Sequence, residues 1–296
     1  MISVIICSNN PVLLKNVREN IHETIGESFE ILYFDNRVAK KGICKVYNEL
    51  ALKAQFPYLC FVHEDVIFAT QEWGKNVIEI FSKDEETGLI GIAGCKYKSA
   101  YFSGWFSNVK ELDCANYIHR YPTKDESVNL SPKKDAKLEE VVCIDGVFMC
   151  CKKKTWSDFP FNENLLKGFH FYDIDFSLRI AHYQKVVVTY DISLIHITKG
   201  GDYGNNWVRI AMDYHEQMKD QLPYTKTLTN HNLADKSVIK ATLDFLKNYN
   251  ITFSNKKEWI IRQKLYLYPE FYYGILKFLL YKPLRLKSFH NLLKNK

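Results

Sequence analysis

The residues best suited to chemistry lie in Tyr58-Leu59-Cys60-Phe61-Val62-His63-Glu64-Asp65-Val66-Ile67-Phe68, an apolar run broken by a histidine and two adjacent carboxylates. A run rich in aromatic and β-branched residues, about one strand long, predicts a buried strand of an α/β sheet. Carboxylates at its end project into the crevice outside the carboxyl ends of the strands, where ligands of open α/β sheets bind. There Glu64 and Asp65, beside His63, suit a hard divalent cation holding a diphosphate; the alternative is an acidic turn after a core strand.

Three further polar groups interrupt apolar surroundings. Residues 141–151 read as a strand broken by Asp145-Gly146, with Asp145 either a turn residue or a group facing the cleft. Gly168-Phe169-His170-Phe171-Tyr172-Asp173-Ile174-Asp175 opens a helix that runs to His182. Positions i and i+2 of a helix do not share a face, so one aspartate reaches the cleft while the other ties down structure. The helix dipole favours both. Asp175 and Arg179, at i and i+4, read as a structural pair. His196 sits between apolar neighbours, the usual setting of a satisfied core histidine.

The elements that must hold these groups alternate. Residues 3–7 predict a short buried strand, Ser8-Asn9-Asn10-Pro11 stops it, and residues 12–25 carry helical periodicity. A second strand over 29–34 ends at Asp35-Asn36, where a carboxylate can accept hydrogen bonds from a ribose or base. A helix over 41–51 carries Asn48; after the strand with His63 come a helix over 73–81 and a strand over 88–95. This βαβαβαβ order begins a nucleotide-binding α/β domain. It lacks both G-x-G-x-x-G and G-x-x-x-x-G-K-[ST], which excludes the dinucleotide and P-loop versions. From 96 to 140 the period is lost, with Pro122 and Pro132 as punctuation. The aromatics Tyr97, Tyr101, Phe102, Trp105 and Phe106 there suit an acceptor-side wall.

Length and composition agree. The 296 residues, 47% hydrophobic and 25% charged, suit a globular domain with an appendage. Eight cysteines without paired C-x-x-C spacing predict reduced thiols in a cytoplasmic chain, rather than disulfides or zinc. The first residues carry no secretory signal, and no apolar run is long enough to span a bilayer. Residues 256–296 hold ten basic side chains against Glu258 and Glu270, a net +8 beside −2 for the rest. Mixed with Trp259, Tyr266, Tyr268, Tyr272, Tyr273 and Phe278, this charge suits either an interfacial helix on an anionic leaflet or a helical appendage packed on the domain or a second subunit. A nucleic-acid role is disfavoured, because no nucleic-acid-binding motif accompanies the basic residues.

In order along the chain, Ser3-Val4-Ile5-Ile6, Asp35-Asn36, Tyr47-Asn48-Glu49-Leu50-Ala51, His63-Glu64-Asp65, Asp145-Gly146, Tyr172-Asp173-Ile174-Asp175-Phe176-Ser177-Leu178-Arg179 and His196 resemble family 2 glycosyltransferases. The likeness is strongest to bacterial members with a His-Glu-Asp variant of the Asp-x-Asp signature. It implies a GT-A fold, a mixed and mostly parallel sheet flanked by helices, over residues 1–220; beyond these the resemblance stops, and composition alone predicts a helical appendage over 221–296. The likeness also implies an inverting transferase of a nucleotide sugar, UDP-linked by expectation, onto a glycan or lipid-linked acceptor.

By resemblance, Asp65 ligates Mn²⁺ or Mg²⁺ with His196 and with His63 in support, and Asp173 is the general base. Asp35, Asn48 and Glu64 serve the donor; Asp145, Trp105, His170 and Tyr172 line the sugar or acceptor side. Tyr172 stands where Glu is common, and Asp35-Asn36-Arg37 replaces the usual Asp-Asp-x-Ser. Such a protein would work in surface-polysaccharide assembly, in the cytoplasm or against the inner face of the membrane, alone or as an oligomer. A nucleotidyltransferase and a non-catalytic nucleotide-sugar or glycan-binding module are the competing readings. The first usually carries a glycine-rich basic loop, which Cys7-Ser8-Asn9-Asn10-Pro11 is not.

Overall fold

The computed structural model describes residues 1–121, 124–131, 135–197, 203–227 and 230–281. Pro122, Pro132 and the last five basic residues therefore lie outside the described residues. The chain opens with β1 (Ile2–Ser8), α1 (Pro11–Thr24), β2 (Phe29–Asp35), α2 (Ile43–Lys53), β3 (Tyr58–Val62), β4 (Val66–Phe68) and α3 (Trp73–Lys83). The strands β5 (Thr87–Gly91), β6 (Ala93–Cys95), β7 (Tyr97–Lys98), β8 (Asp113–Arg120), β9 (Asp125–Leu130), β10 (Leu138–Val141), β11 (Cys143–Ile144) and β12 (Phe148–Lys152) follow. Next come α4 (Lys153–Asp158), α5 (Tyr172–Ala181), β13 (Lys185–Thr189), β14 (Leu194–Ile197), α6 (Asn205–Gln217) and β15 (Tyr224–Thr225). The helices α7 (Asn232–Leu246), α8 (Phe253–Arg262) and α9 (Tyr272–Leu280) end the described chain.

Local signals explain the first crossover. Asn10 caps α1 by accepting from the amides of Val12 and Leu13 at 3.0 and 3.3 Å, and Pro11 supplies the preset first helical position. Leu14, Val17 and Ile21 then form the buried stripe. The larger sheet runs β10-β13-β5-β12-β3-β1-β2; its β1–β2, β1–β3 and β5–β13 pairs are parallel. Alternation along each strand divides the core: Ile5 and Phe61 face one layer, Val4, Ile6, Cys60 and Val62 the other.

Two expectations change here. The aperiodic stretch from 96 contains β7 and the β8–β9 pair, and β8 joins a second sheet ordered β11-β6-β8-β14-β4. β8 mixes Asp113, Asn116, His119 and Arg120 with apolar residues and β9 is mostly polar and exposed, so hydrophobic periodicity was a poor guide to this pair. The expectation of reduced cysteines fails at one pair: Cys60 and Cys150 are direct partners in the antiparallel β3–β12 register and are joined by a disulfide. Their 90-residue separation hides that pairing from any reading of spacing. The other six cysteines are free.

The C-terminal helices pack back on the body. Trp259 of α8 stacks near Trp207 of α6 at 6.0 Å and meets the edge of Phe102 at 5.2 Å. Tyr97 donates to Asp235 of α7 at 2.6 Å, and the Phe102 amide donates to Gln263 at 2.8 Å. Trp259 thus belongs to the same core layer as Ile5 and Phe61. Trp259→Ala is expected to cost about 3–5 kcal/mol, the range for deleting a buried aromatic. Denaturant unfolding followed by fluorescence and by circular dichroism should show one coincident transition shifted by that amount.

Candidate active site

The candidate residues gather where the two sheets meet, at the carboxyl end of β3. His63 leaves that strand with its amide donating to Val147 O at 3.2 Å, and Glu64-Asp65 turn the chain into β4. β14 then lies antiparallel to β4 with His196 opposite Val66, and the Ile197 amide donates to Asp65 O at 2.7 Å. This register sets His196 beside Asp65. The His196 Nε2 is 3.3 Å from Asp65 Oδ2, and the His63 Nδ1 is 3.8 Å from Asp65 Oδ1. One ligand atom from each of the three residues falls within 4.8 Å of the others, the spacing of a cation site. The core-residue reading of His196 from its neighbours gives way to this placement.

The charges of the three groups are coupled. Burial works against the charged form of Asp65, but the His196 hydrogen bond and the two imidazoles hold its carboxyl below the usual range. Burial likewise opposes protonation of His196, and Asp65 reverses the sign. His63 is pushed down, chiefly by burial, so it is the neutral imidazole that ligation requires. Its Nε2 lies 2.7 Å from the Tyr172 hydroxyl, which turns Nδ1 toward Asp65. Tyr172 itself reaches that position only because residue 146 is glycine: a Cβ there would come within 2.1 Å of the phenol oxygen.

Asp173 follows at the first turn of α5. Phe171, just before that helix, is held at φ +66° by packing on Trp207 and Tyr214, at ring distances of 5.5 and 5.2 Å. A non-glycine residue in the left-handed region is strained, and such strain concentrates at functional sites. The Asp173 carboxylate accepts from the amides of Gly146 and Ile174, each at 2.9 Å. Burial first, and then the charge of Asp145, push its pKa up to about 7 despite those amides. Asp145 accepts from the Val147 amide at 2.9 Å. Asp175 points away, buried against Arg179 at 2.8 Å. The two aspartates therefore part as helix geometry dictates.

Other expected site residues are placed differently. Glu64 turns back to accept from Ser8 Oγ at 2.5 Å and from the amides of Asn9 and Asn10, at 3.1 and 2.9 Å, so it clamps the loop after β1. Asn48 is spent on the fold: it donates to Phe161 O at 2.8 Å and accepts from Trp156 Nε1 and Phe161 N at 3.1 and 3.0 Å. That bonding pins α2 to the segment before α5 and leaves the amide no reach toward a donor. Asp35 stands exposed at the end of β2, with Arg37 hydrogen bonds holding it down to about 2. Trp105 is half-buried against Phe106 at 5.9 Å, its carbonyl accepting from the Cys143 thiol at 3.5 Å. His170 is half-buried on the turn into α5.

One histidine escaped the sequence reading. His119 is the β8 partner of His196, with ring centroids 5.4 Å apart, and its Nδ1 is 2.9 Å from the Tyr121 hydroxyl. Its signal is the alternation Tyr117-x-His119-x-Tyr121, which sets the three on one strand face.

Comparison with known proteins bears on this cleft. Residues 3–230 match a family model described as "Glycosyltransferase like family". No curated protein matches the chain. The solved structure of GalNAc-T7 with UDP, GalNAc and Mn²⁺ is similar at a TM-score of 0.50 and 12% identity; the match covers 91% of this chain and 58% of that one. The chain thus spans little more than half the length of that protein. The mannosyltransferase PcManGT from Pyrobaculum calidifontis, in complex with GDP-Man and Mn²⁺, is similar at a TM-score of 0.48 and 11% identity, covering 100% of this chain and 88% of that one. The architecture is the GT-A fold, a mixed sheet flanked by helices.

Two outcomes follow from the geometry. Tyr172→Phe removes the hydroxyl bonded to His63 Nε2 and should shift the His63 imidazole resonances in NMR. Glu64→Ala frees two loop amides and the Ser8 hydroxyl, and should destabilise the protein by about 1–3 kcal/mol. The same variant should speed amide hydrogen exchange at Asn9 and Asn10.

Proposed function

We propose that this chain, which belongs to the glycosyltransferase-like family, is an inverting transferase that moves a sugar from a nucleotide diphosphate to an acceptor hydroxyl. The observation carrying this reading is a three-residue cluster whose His63 is hydrogen-bonded at 2.7 Å to Tyr172, the residue next to Asp173, a carboxylate pushed up to about 7. A general base works best when its pKa lies near the operating pH.

Two imidazole nitrogens and a carboxylate suit Mn²⁺ better than Mg²⁺, which favours all-oxygen surroundings. When bound, such a cation would neutralise charge on the departing diphosphate as a Lewis acid. His63, Asp65 and His196 would hold it, and Tyr172 keeps His63 turned toward it. Each Asp173 oxygen already accepts one amide and retains a second lone pair. One of these takes the acceptor proton as the acceptor oxygen bonds to the anomeric carbon, while the bond from that carbon to the diphosphate oxygen breaks. Asp35, ionised far below neutrality, is the group offered to a ribose hydroxyl or base. A UDP-sugar is the proposed donor and a glycan or lipid-linked hydroxyl the proposed acceptor, with Asp145, Trp105 and His170 on the acceptor side.

A nucleotide-sugar that binds only the folded protein raises its melting temperature, so a screen with and without Mn²⁺ identifies the donor. With that donor, Asp173→Asn should lower kcat by about 10²- to 10⁴-fold while leaving donor affinity unchanged. Donor binding without transfer or hydrolysis in the wild type would instead make the protein a binding module.

The pH profile has a defined sign. The base acts only when ionised and its pKa is about 7, so the rate should fall as pH drops through 7. Asp145→Asn removes the like charge that raises Asp173 and should move the midpoint of that fall to lower pH.

A further inference from the structure

The last described helix exposes four of its seven large apolar side chains, Tyr272, Tyr273, Leu276 and Leu280. Nine of the nineteen exposed large hydrophobic side chains among the described residues fall between 261 and 281, a concentration that scattered surface apolars do not produce. At about 100° per residue, Tyr272, Tyr273, Leu276 and Leu280 occupy one arc of α9 and Phe278 lies roughly opposite. Phe278 is fully buried, whereas Tyr273 and Leu280 are 71% and 67% exposed. The helix anchors through Phe278, flanked by the half-buried Ile275 and Leu279, and turns Tyr272, Tyr273, Leu276 and Leu280 outward. The turn before it extends the stripe, with Tyr266 and Leu267 exposed and the Tyr272 hydroxyl donating to Tyr266 O at 3.0 Å.

The rim of this stripe is basic. The Lys277 ammonium lies 4.3 Å over the Tyr273 ring, and the groove between α7 and α9 is lined by Lys240, Lys247 and Lys277. The acidic groups there are taken up locally, Glu270 by Lys236 and Asp244 by Lys247. Directly after α9, residues 282–296 add five basic side chains and no acidic one, against a net +6 for the whole chain. Lysine is depleted at the cores of protein interfaces. Tyrosine and leucine with lysines at the margin is the composition of a surface lying at the headgroup level of an anionic leaflet. Among the described residues no helix is long and apolar enough to cross a membrane.

We propose that the outward face of α9 and its preceding turn is a membrane-docking surface, which seats Tyr273, Leu276 and Leu280 among the acyl chains of an anionic bilayer with Lys240 and Lys277 at the phosphates. The proposal rests on this surface and is independent of the transferase reading. The test is co-sedimentation of the full chain with vesicles of phosphatidylcholine alone or mixed with phosphatidylglycerol, over a range of salt. Binding should require phosphatidylglycerol and weaken steeply with salt. Because the three side chains are exposed, the combined variant Tyr273→Ser, Leu276→Ser, Leu280→Ser should keep the wild-type circular dichroism and melting temperature. Its partition coefficient should fall by about tenfold or more, and Lys277→Glu should fall by about fivefold or more. Failure of the wild type to bind anionic vesicles at low salt would overturn the proposal. So would salt-insensitive binding that the triple variant retains. A concentration-dependent dimer that the triple variant abolishes, without vesicle binding, would assign the face to a second copy instead.

Discussion

The cleft depends on one strand pairing, that of β14 against β4. Opposing His196 to Val66 carries an imidazole from the far end of the domain to the Asp65 carboxylate, and nothing local to either residue would do so. A slip of one residue would turn His196 to the other face of the sheet and break up the cluster. Leu194, fully buried on the same short strand, resists that slip, because its burial is lost in any other register. Leu194 and His196 line the same face of β14, so core packing at one end of the strand fixes the position of the imidazole at the other.

Polar groups around that pairing are arranged in shells of decreasing freedom. Tyr172 fills the space left by the missing side chain of Gly146 and holds His63 through its second nitrogen. Glu64, adjacent to Asp65 in the chain, faces the β1 loop and stabilises the wall of the cleft. Neighbouring acids thus divide between the histidine cluster and the scaffold, as Asp173 and Asp175 part on α5. In both pairs the division comes from backbone direction: successive residues in a turn or helix cannot aim at one point.

The C-terminal helices link this site to the outer surface. The Tyr203 ring packs on Phe245 and Tyr249 at 4.7 and 5.3 Å, and Asp145 and Asp173 are among the causes that raise its phenol pKa. Phe245 belongs to α7, whose other side, with Lys240 and Leu243, lines the groove against α9. One helix therefore touches both the aromatic neighbours of the proposed base and the basic, apolar exterior. The disulfide between Cys60 and Cys150 adds a covalent tie at the centre of the larger sheet, between the strand that leads to His63 and the strand that leaves Gly146.

Much of this was legible in the residues themselves. The alternation of apolar runs and helical periods outlined the first half of the sheet, because burial imposes periods of two and 3.6 on any chain. The breaks in those runs marked His63, Asp65, Asp145 and Asp173, since a charge in an apolar setting requires a reason. Distance was not legible. The partnership of Asp65 with His196, the hold of Tyr172 on His63, the retirement of Asn48 and Glu64 into the scaffold, the Cys60–Cys150 bond and the outward stripe of α9 all join residues remote in sequence or depend on which face is covered. Sequence carries periodicity and residue type; strand register and packing alone decide which side chains meet, and those are properties of the whole fold.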